Sequence, residues 1–120
     1  MPALNFHSRF APLVESGQKR QTIRAFRKDG RDPKPGDTLY LFTGMQTKRC
    51  RKIGVAVVES VEFVDIDERS LVVGNRDLHA TEADELARDD GFQNWTDMEE
   101  WVKRTYGLPF EGLLIRWGAK

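Results

Sequence analysis

From Ile53 to Ile66 the chain is dominated by Val, Ile and Phe. Side chains branched at Cβ, or aromatic, pack well on a pleated surface and lose freedom in a helix, so this run predicts a long strand. Its alternation of apolar and polar positions slips at Val57-Val58. A slip of phase inside a strand marks a bulge or a bend where the sheet turns a corner. Around this strand the sequence predicts others. Thr38-Leu39-Tyr40-Leu41-Phe42-Thr43 is apolar at consecutive positions, as in a strand covered on both faces. Leu71–Val73 follows what reads as an acidic turn at Asp65-Ile66-Asp67-Glu68, and Phe110–Trp117 closes the chain as a last strand. Many short strands in a small chain predict a small β-barrel.

Helical signals interrupt this pattern at three places. Phe6, Phe10, Leu13 and Val14 have helical spacing after a short opening strand, and Gly17 follows them as a stop. On this reading His7 is a polar position early in the first helix. Thr81-x-x-Asp84 and Thr96-x-x-Glu99 both have capping-box spacing, and Met98, Trp101, Val102 and Thr105 form the inner stripe of the last helix. Gly107 and Pro109 end it.

A chain of 120 residues is expected to form one domain, residues 1–120, with one core and no second unit. Its single cysteine, Cys50, excludes an intrachain disulfide and reads as a small packing residue. No apolar run approaches the ~20 residues a membrane helix needs, and no signal peptide is recognisable. A cytoplasmic protein with no membrane partner is the expectation. His7 and His79 lack the spacing of a metal pair, and neither a phosphate-binding glycine loop nor a G-x-S-x-G elbow occurs. No metal or other cofactor is therefore expected. The formal charge is zero, yet residues 1–60 hold 12 Lys and Arg against 5 Asp and Glu, while residues 61–120 hold 7 against 14. Two basic stretches contribute to the asymmetry: Arg27, Lys28, Arg31 and Lys34 in a turn-rich loop, and Lys48-Arg49-Cys50-Arg51-Lys52. The first is either a phosphate-contacting flap or an ordinary solvated loop, and the second reads as the rim of a hairpin.

Chemistry concentrates in Ser16-Gly17-Gln18-Lys19-Arg20-Gln21-Thr22-Ile23-Arg24. If Gly17 stops the helix and Gln21 begins a strand, the period of two puts Thr22 and Arg24 on one face and Ile23 on the other. Lys19, from the intervening turn, can reach the same face. From the residues alone two readings stand: a structural ion pair of Lys19 and Arg24 with Asp89 or Asp90, or a site in which hydroxyl, amine and guanidinium act together.

Gly17-x-Lys19-x-x-Thr22-x-Arg24 resembles the signature of the ASCH domains, relatives of the PUA RNA-binding fold, whose usual pattern is G-x-K-x-x-E-x-R. The preceding helix, Pro35-Gly36-Asp37 before an apolar strand, Asp89-Asp90-Gly91-Phe92 before a helix, and the closing strand follow the family's order. The resemblance covers nearly the whole chain. It implies an α+β, PUA-like barrel with about three helices packed around it. Threonine in place of the usual glutamate resembles the branch of N4-acetylcytidine amidohydrolases, which remove an acyl group from modified cytidine. In that branch the motif's lysine and threonine and a later glutamate are catalytic. The first two fall on Lys19 and Thr22, and the third on Asp90, a shorter acid. What the resemblance implies is an enzyme without a cofactor that binds RNA or a modified nucleoside and hydrolyses an N-acyl amide, with Thr22 as nucleophile, Lys19 as base or oxyanion donor, and Asp90 orienting the lysine. Arg24 and Arg20 would contact substrate, and Phe92 and Trp95 would offer a stacking wall. A non-catalytic RNA-binding module and a ribonuclease using the same cationic cleft are the alternatives.

Overall fold

The structure, a computed structural model, describes residues 3–68 and 70–119. The run from Ile53 is part of one strand, β4 (Arg51–Asp67), and the sheet is built on both of its edges. Along one edge β3 (Thr38–Thr43) pairs antiparallel with its first half and β5 (Ser70–Val73) with its end. The other edge carries β7 (Phe110–Ala119) from Ala56 to Ile66. Beyond these lie β1 (Ala3–Phe6), parallel to β3, β2 (Gln21–Ala25), antiparallel to β7, and the short β6 (Arg76–Asp77) on β5. The slip at Val57-Val58 appears as a shift of register between Val58 and Ser60 against β7, and a second shift falls at Leu41/Phe42 against β3. Asp65 and Asp67 are strand residues paired with β5, so the expected acidic turn begins only after Asp67.

Among the described residues, seven strands and three helices make an α+β fold with a mixed sheet, but the sheet does not close into the expected barrel. Among the described residues no backbone ladder joins β1 to β2. Side chains span that gap instead. A terminal guanidinium nitrogen of Arg24 donates to the Asn5 carbonyl at 2.7 Å, and one of Arg27 to the Ala3 carbonyl at 3.0 Å. Guanidinium groups have the reach to satisfy edge carbonyls that a strand would otherwise cover.

The first helix, α1 (Ala11–Ser16), is shorter than its spacing predicts. Pro12 lies in its first turn, where a missing N–H costs nothing, and Gly17 ends it in the left-handed region at φ 85°. His7 therefore precedes the helix; its carbonyl accepts from the N–H groups of Phe10 and Ala11. Neither predicted capping box forms. α2 (Ala80–Asp89) starts one residue before Thr81, after His79, and the Asp84 carboxylate accepts from the Trp95 N–H at 2.9 Å instead. α3 (Trp95–Thr105) is capped by Asn94, whose side chain accepts from the Asp97 N–H at 2.9 Å. Asn is as good a cap as Thr, and here it sits at the right offset. Met98 and Val102 face the core as the stripe predicted. Cys50 is exposed rather than packed, because the β3–β4 connection carries it away from the core.

One close approach ties the core to the strand that carries the motif. A Cβ on Gly112 would overlap the Arg24 carbonyl and lie 2.6 Å from Phe110 Cζ. Gly112→Ala is expected to cost about 2 kcal/mol or more by overpacking, read as a lower chemical-denaturation midpoint at unchanged slope.

Candidate functional site

β2 leaves α1 through the turn Gly17–Arg20, and that turn delivers Lys19 to the cavity that Thr22 also lines. Thr22 and Arg24 share a face as the strand period requires, and Arg24 Nε donates to Thr22 Oγ1 at 3.1 Å. On the other side of the same hollow, α2 ends at Asp90 and Gly91 turns the chain away at φ 96°. A Cβ there would meet Phe10 Cδ1 at 3.0 Å and Leu13 Cδ1 at 3.2 Å, so the turn needs both the conformation and the missing side chain of glycine.

Lys19, Thr22 and Asp90 are all buried, at 2%, 5% and 4% exposure, and all line one cavity of about 200 Å³. Lys19 Nζ lies 3.1 Å from Asp90 Oδ2 and also donates to the Asp90 carbonyl. Asp90 is thus the carboxylate of the site, and Asp89, on the exposed side of the helix end, is not. Phe10 lies beneath the ammonium, its ring centre 5.0 Å from Nζ. The remaining walls are largely apolar and aromatic, with Phe6, Phe92, Trp101 and Tyr106 among them. Phe10 packs edge to face with Phe92 and with Trp101, centroids 5.1 Å apart in each pair, and Phe92 and Trp101 lie tilted to one another at 6.1 Å.

Burial dominates the electrostatics. It holds the Lys19 amine below the ordinary lysine range against the pull of Asp90, and the nearby Arg24 pushes the same way. It raises the Asp90 carboxyl above the usual carboxylate range although Lys19, Gln21 and Arg24 all favour the ion. Both shifts run toward the neutral forms, which brings the amine closer to serving as a base.

Two of the sequence candidates lie elsewhere. Arg20 turns away to donate from Nε to the Gly17 carbonyl at 3.1 Å and lines a separate hollow with Asp89 and Arg116. Trp95, at the start of α3, lines a groove with Leu71 and Leu78 rather than the cavity. Phe92 does line the cavity, as a buried wall.

Two residues of the site escaped the sequence reading. Gln21 is buried, and its amide nitrogen donates to the Leu86 carbonyl and to Asp90 Oδ1, both at 3.2 Å. Nothing in the motif marks Gln21; only the position of α2 brings Asp90 within its reach. His7 lines the cavity because the chain there is a turn, not a helix. Its Nδ1 accepts from the Arg9 N–H at 3.0 Å, and its ring stands edge-on to Trp101 at 5.3 Å. Among the described residues no group of three or more His, Cys, Asp or Glu side chains is placed to hold a metal ion, and no helix is long and apolar enough to cross a membrane. No protein-family model, no curated protein and no solved structure matches the chain.

Proposed function

We propose that the chain is a PUA-like, ASCH-type domain whose cavity takes the base of a cytidine-like nucleoside and hydrolyses an N-acyl amide on it. The observation that carries this reading is the meeting of Lys19, Thr22, Arg24 and Asp90 at one aromatic-walled cavity, with the lysine amine depressed by burial. The cavity exceeds the ~150 Å³ that accommodates a benzene ring, so a single base fits its scale where a folded strand does not. That scale favours a nucleoside hydrolase over a module that grips only backbone.

In the reaction Thr22 Oγ attacks the amide carbonyl carbon while its proton passes to neutral Lys19 Nζ. Arg24, already bonded to Oγ1, stabilises negative charge as it develops. Collapse of the tetrahedral adduct breaks the C–N bond, and the departing exocyclic nitrogen takes the proton back from Lys19. Water then gives a proton to the same amine as its oxygen attacks the ester carbon; the C–Oγ bond breaks, Thr22 Oγ takes the proton back from Lys19, and the carboxylic acid leaves. Asp90 holds Lys19 in place throughout.

Purified protein given N4-acetylcytidine is expected to convert it to cytidine, followed by ultraviolet absorbance, and Thr22→Ala is expected to abolish the conversion. Shortening of single-stranded RNA by the same protein, with the nucleoside untouched, identifies a ribonuclease. Salt-sensitive retention of RNA without any turnover identifies a binder.

A further inference from the structure

Arg24 and Tyr106 line both the cavity and a neighbouring hollow of about 220 Å³. Arg27 and Asp32 line that hollow and also a basin of about 410 Å³ at the β2–β3 loop. Shared side chains thus set the three side by side, from the base cavity to the basic loop. Arg24 and Arg27 stand in the middle hollow without a carboxylate partner, since the ion pairs found among the described residues involve neither. Each spends guanidinium N–H groups on neutral oxygens: Arg24 on the Asn5 carbonyl and the Thr22 hydroxyl, Arg27 on the Ala3 carbonyl. A guanidinium has five donors, so both keep donors for another ligand. The loop's acids are otherwise engaged. Asp32, Asp29 and Asp37 accept from the backbone N–H groups of Arg27, Arg31 and Lys34 at 2.8 to 2.9 Å, which folds the loop around its carboxylates.

Two half-buried guanidiniums outside any direct ion pair, beside a base-sized cavity, suit an anion attached to that base's sugar. Resting on the reading above, we propose that the natural substrate carries a phosphate, seated between Arg24 and Arg27 in the hollow next to the cavity while the base occupies the cavity itself. The phosphate belongs either to a mononucleotide or to a single strand whose next phosphate reaches Arg31 and Lys34. Tyr106, 44% exposed where cavity and hollow meet, stands against the sugar.

Binding separates these cases without relying on turnover. Affinities are measured calorimetrically for cytidine, cytidine 5′-monophosphate and a six-residue oligocytidylate. At least one phosphorylated ligand is expected to bind about tenfold tighter than cytidine, a charge-assisted pair's worth. Arg27→Gln is expected to erase that advantage and leave cytidine affinity unchanged. A thermal melt checks its fold, and Arg27→Lys, which keeps the charge but loses the fork, should retain part of the gain. A gain already present with the monophosphate assigns the seat to a mononucleotide. A gain confined to the oligomer and weakened by Arg31→Gln assigns it to a strand. Equal binding of all three ligands, no binding of any, or an advantage untouched in a folded Arg27→Gln protein overturns the proposal. Deacylation of the nucleoside without phosphate preference removes the phosphate seat alone; phosphate preference without deacylation removes the amide chemistry alone.

Discussion

Asp90→Leu is expected to destabilise the fold by about 3–5 kcal/mol near neutral pH, the cost of leaving one member of a buried ion pair without the other. Lys19 has nowhere to go: its amine is 2% exposed, Phe10 lies beneath it, and its other acceptor is the Asp90 backbone carbonyl. The pH dependence gives the mechanism away. Without the carboxylate, burial and Arg24 hold the Lys19 amine still further below its ordinary value of 10.5. Between that depressed pKa and the unfolded one, the unfolded chain binds more protons than the folded chain. Stability of Asp90→Leu should therefore rise with pH toward the ordinary lysine range and be poorest below the depressed pKa. Chemical denaturation at pH 6 and pH 9 measures the difference. A variant equally stable at both would mean that Lys19 finds another partner.

Lys19→Met should show the opposite sign. It leaves the Asp90 carboxyl buried with only Gln21 and the more distant Arg24 in its favour, so its pKa climbs further above the usual carboxylate range. A raised acid pKa means that the folded state holds the proton longer, so stability is full below the unfolded value and falls as pH rises through the folded one. Lys19→Met is thus expected to be more stable at pH 5 than at pH 8, relative to the parent protein. A buried carboxylic acid is tolerable when neutral, so this variant should fold and still lose turnover by about 10²–10⁴-fold, the range for removing a general base. Folding with lost turnover distinguishes a chemical role from a structural one. Near-parental turnover by folded Lys19→Met would remove the amine from the mechanism.

The local part of this site was legible in the sequence because it depends on short-range geometry. Gly17 permits the left-handed helix end, β2 has a period of two, and together these put Thr22, Arg24 and the Lys19 side chain at one hollow. The long strand and its slip were legible for the same reason. What could not be read depends on where distant segments dock. Asp90 rather than Asp89 enters the cavity because the residue that caps the C-terminal end of α2 turns inward, and Gln21 reaches that carboxylate from behind the motif face. Arg20 and Trp95 were expected at the site from adjacency in the chain, but a tight turn and a helix start send each to a different surface. The capping signals misled by an offset of two residues, the caps being His79 and Asn94 rather than Thr81 and Thr96. The barrel expectation missed on closure, where Arg24 and Arg27 take the place of a strand ladder between β1 and β2.

In the proposed mechanism Thr22 carries the acyl group during turnover. Rapid quenching of the protein with N4-acetylcytidine, followed by peptide mass spectrometry, tests it most directly. An acetyl group is expected on the peptide containing Thr22, formed before steady state and absent from Thr22→Ala. Full conversion of the nucleoside by Thr22→Ala, with no acylated peptide from either protein, would contradict it.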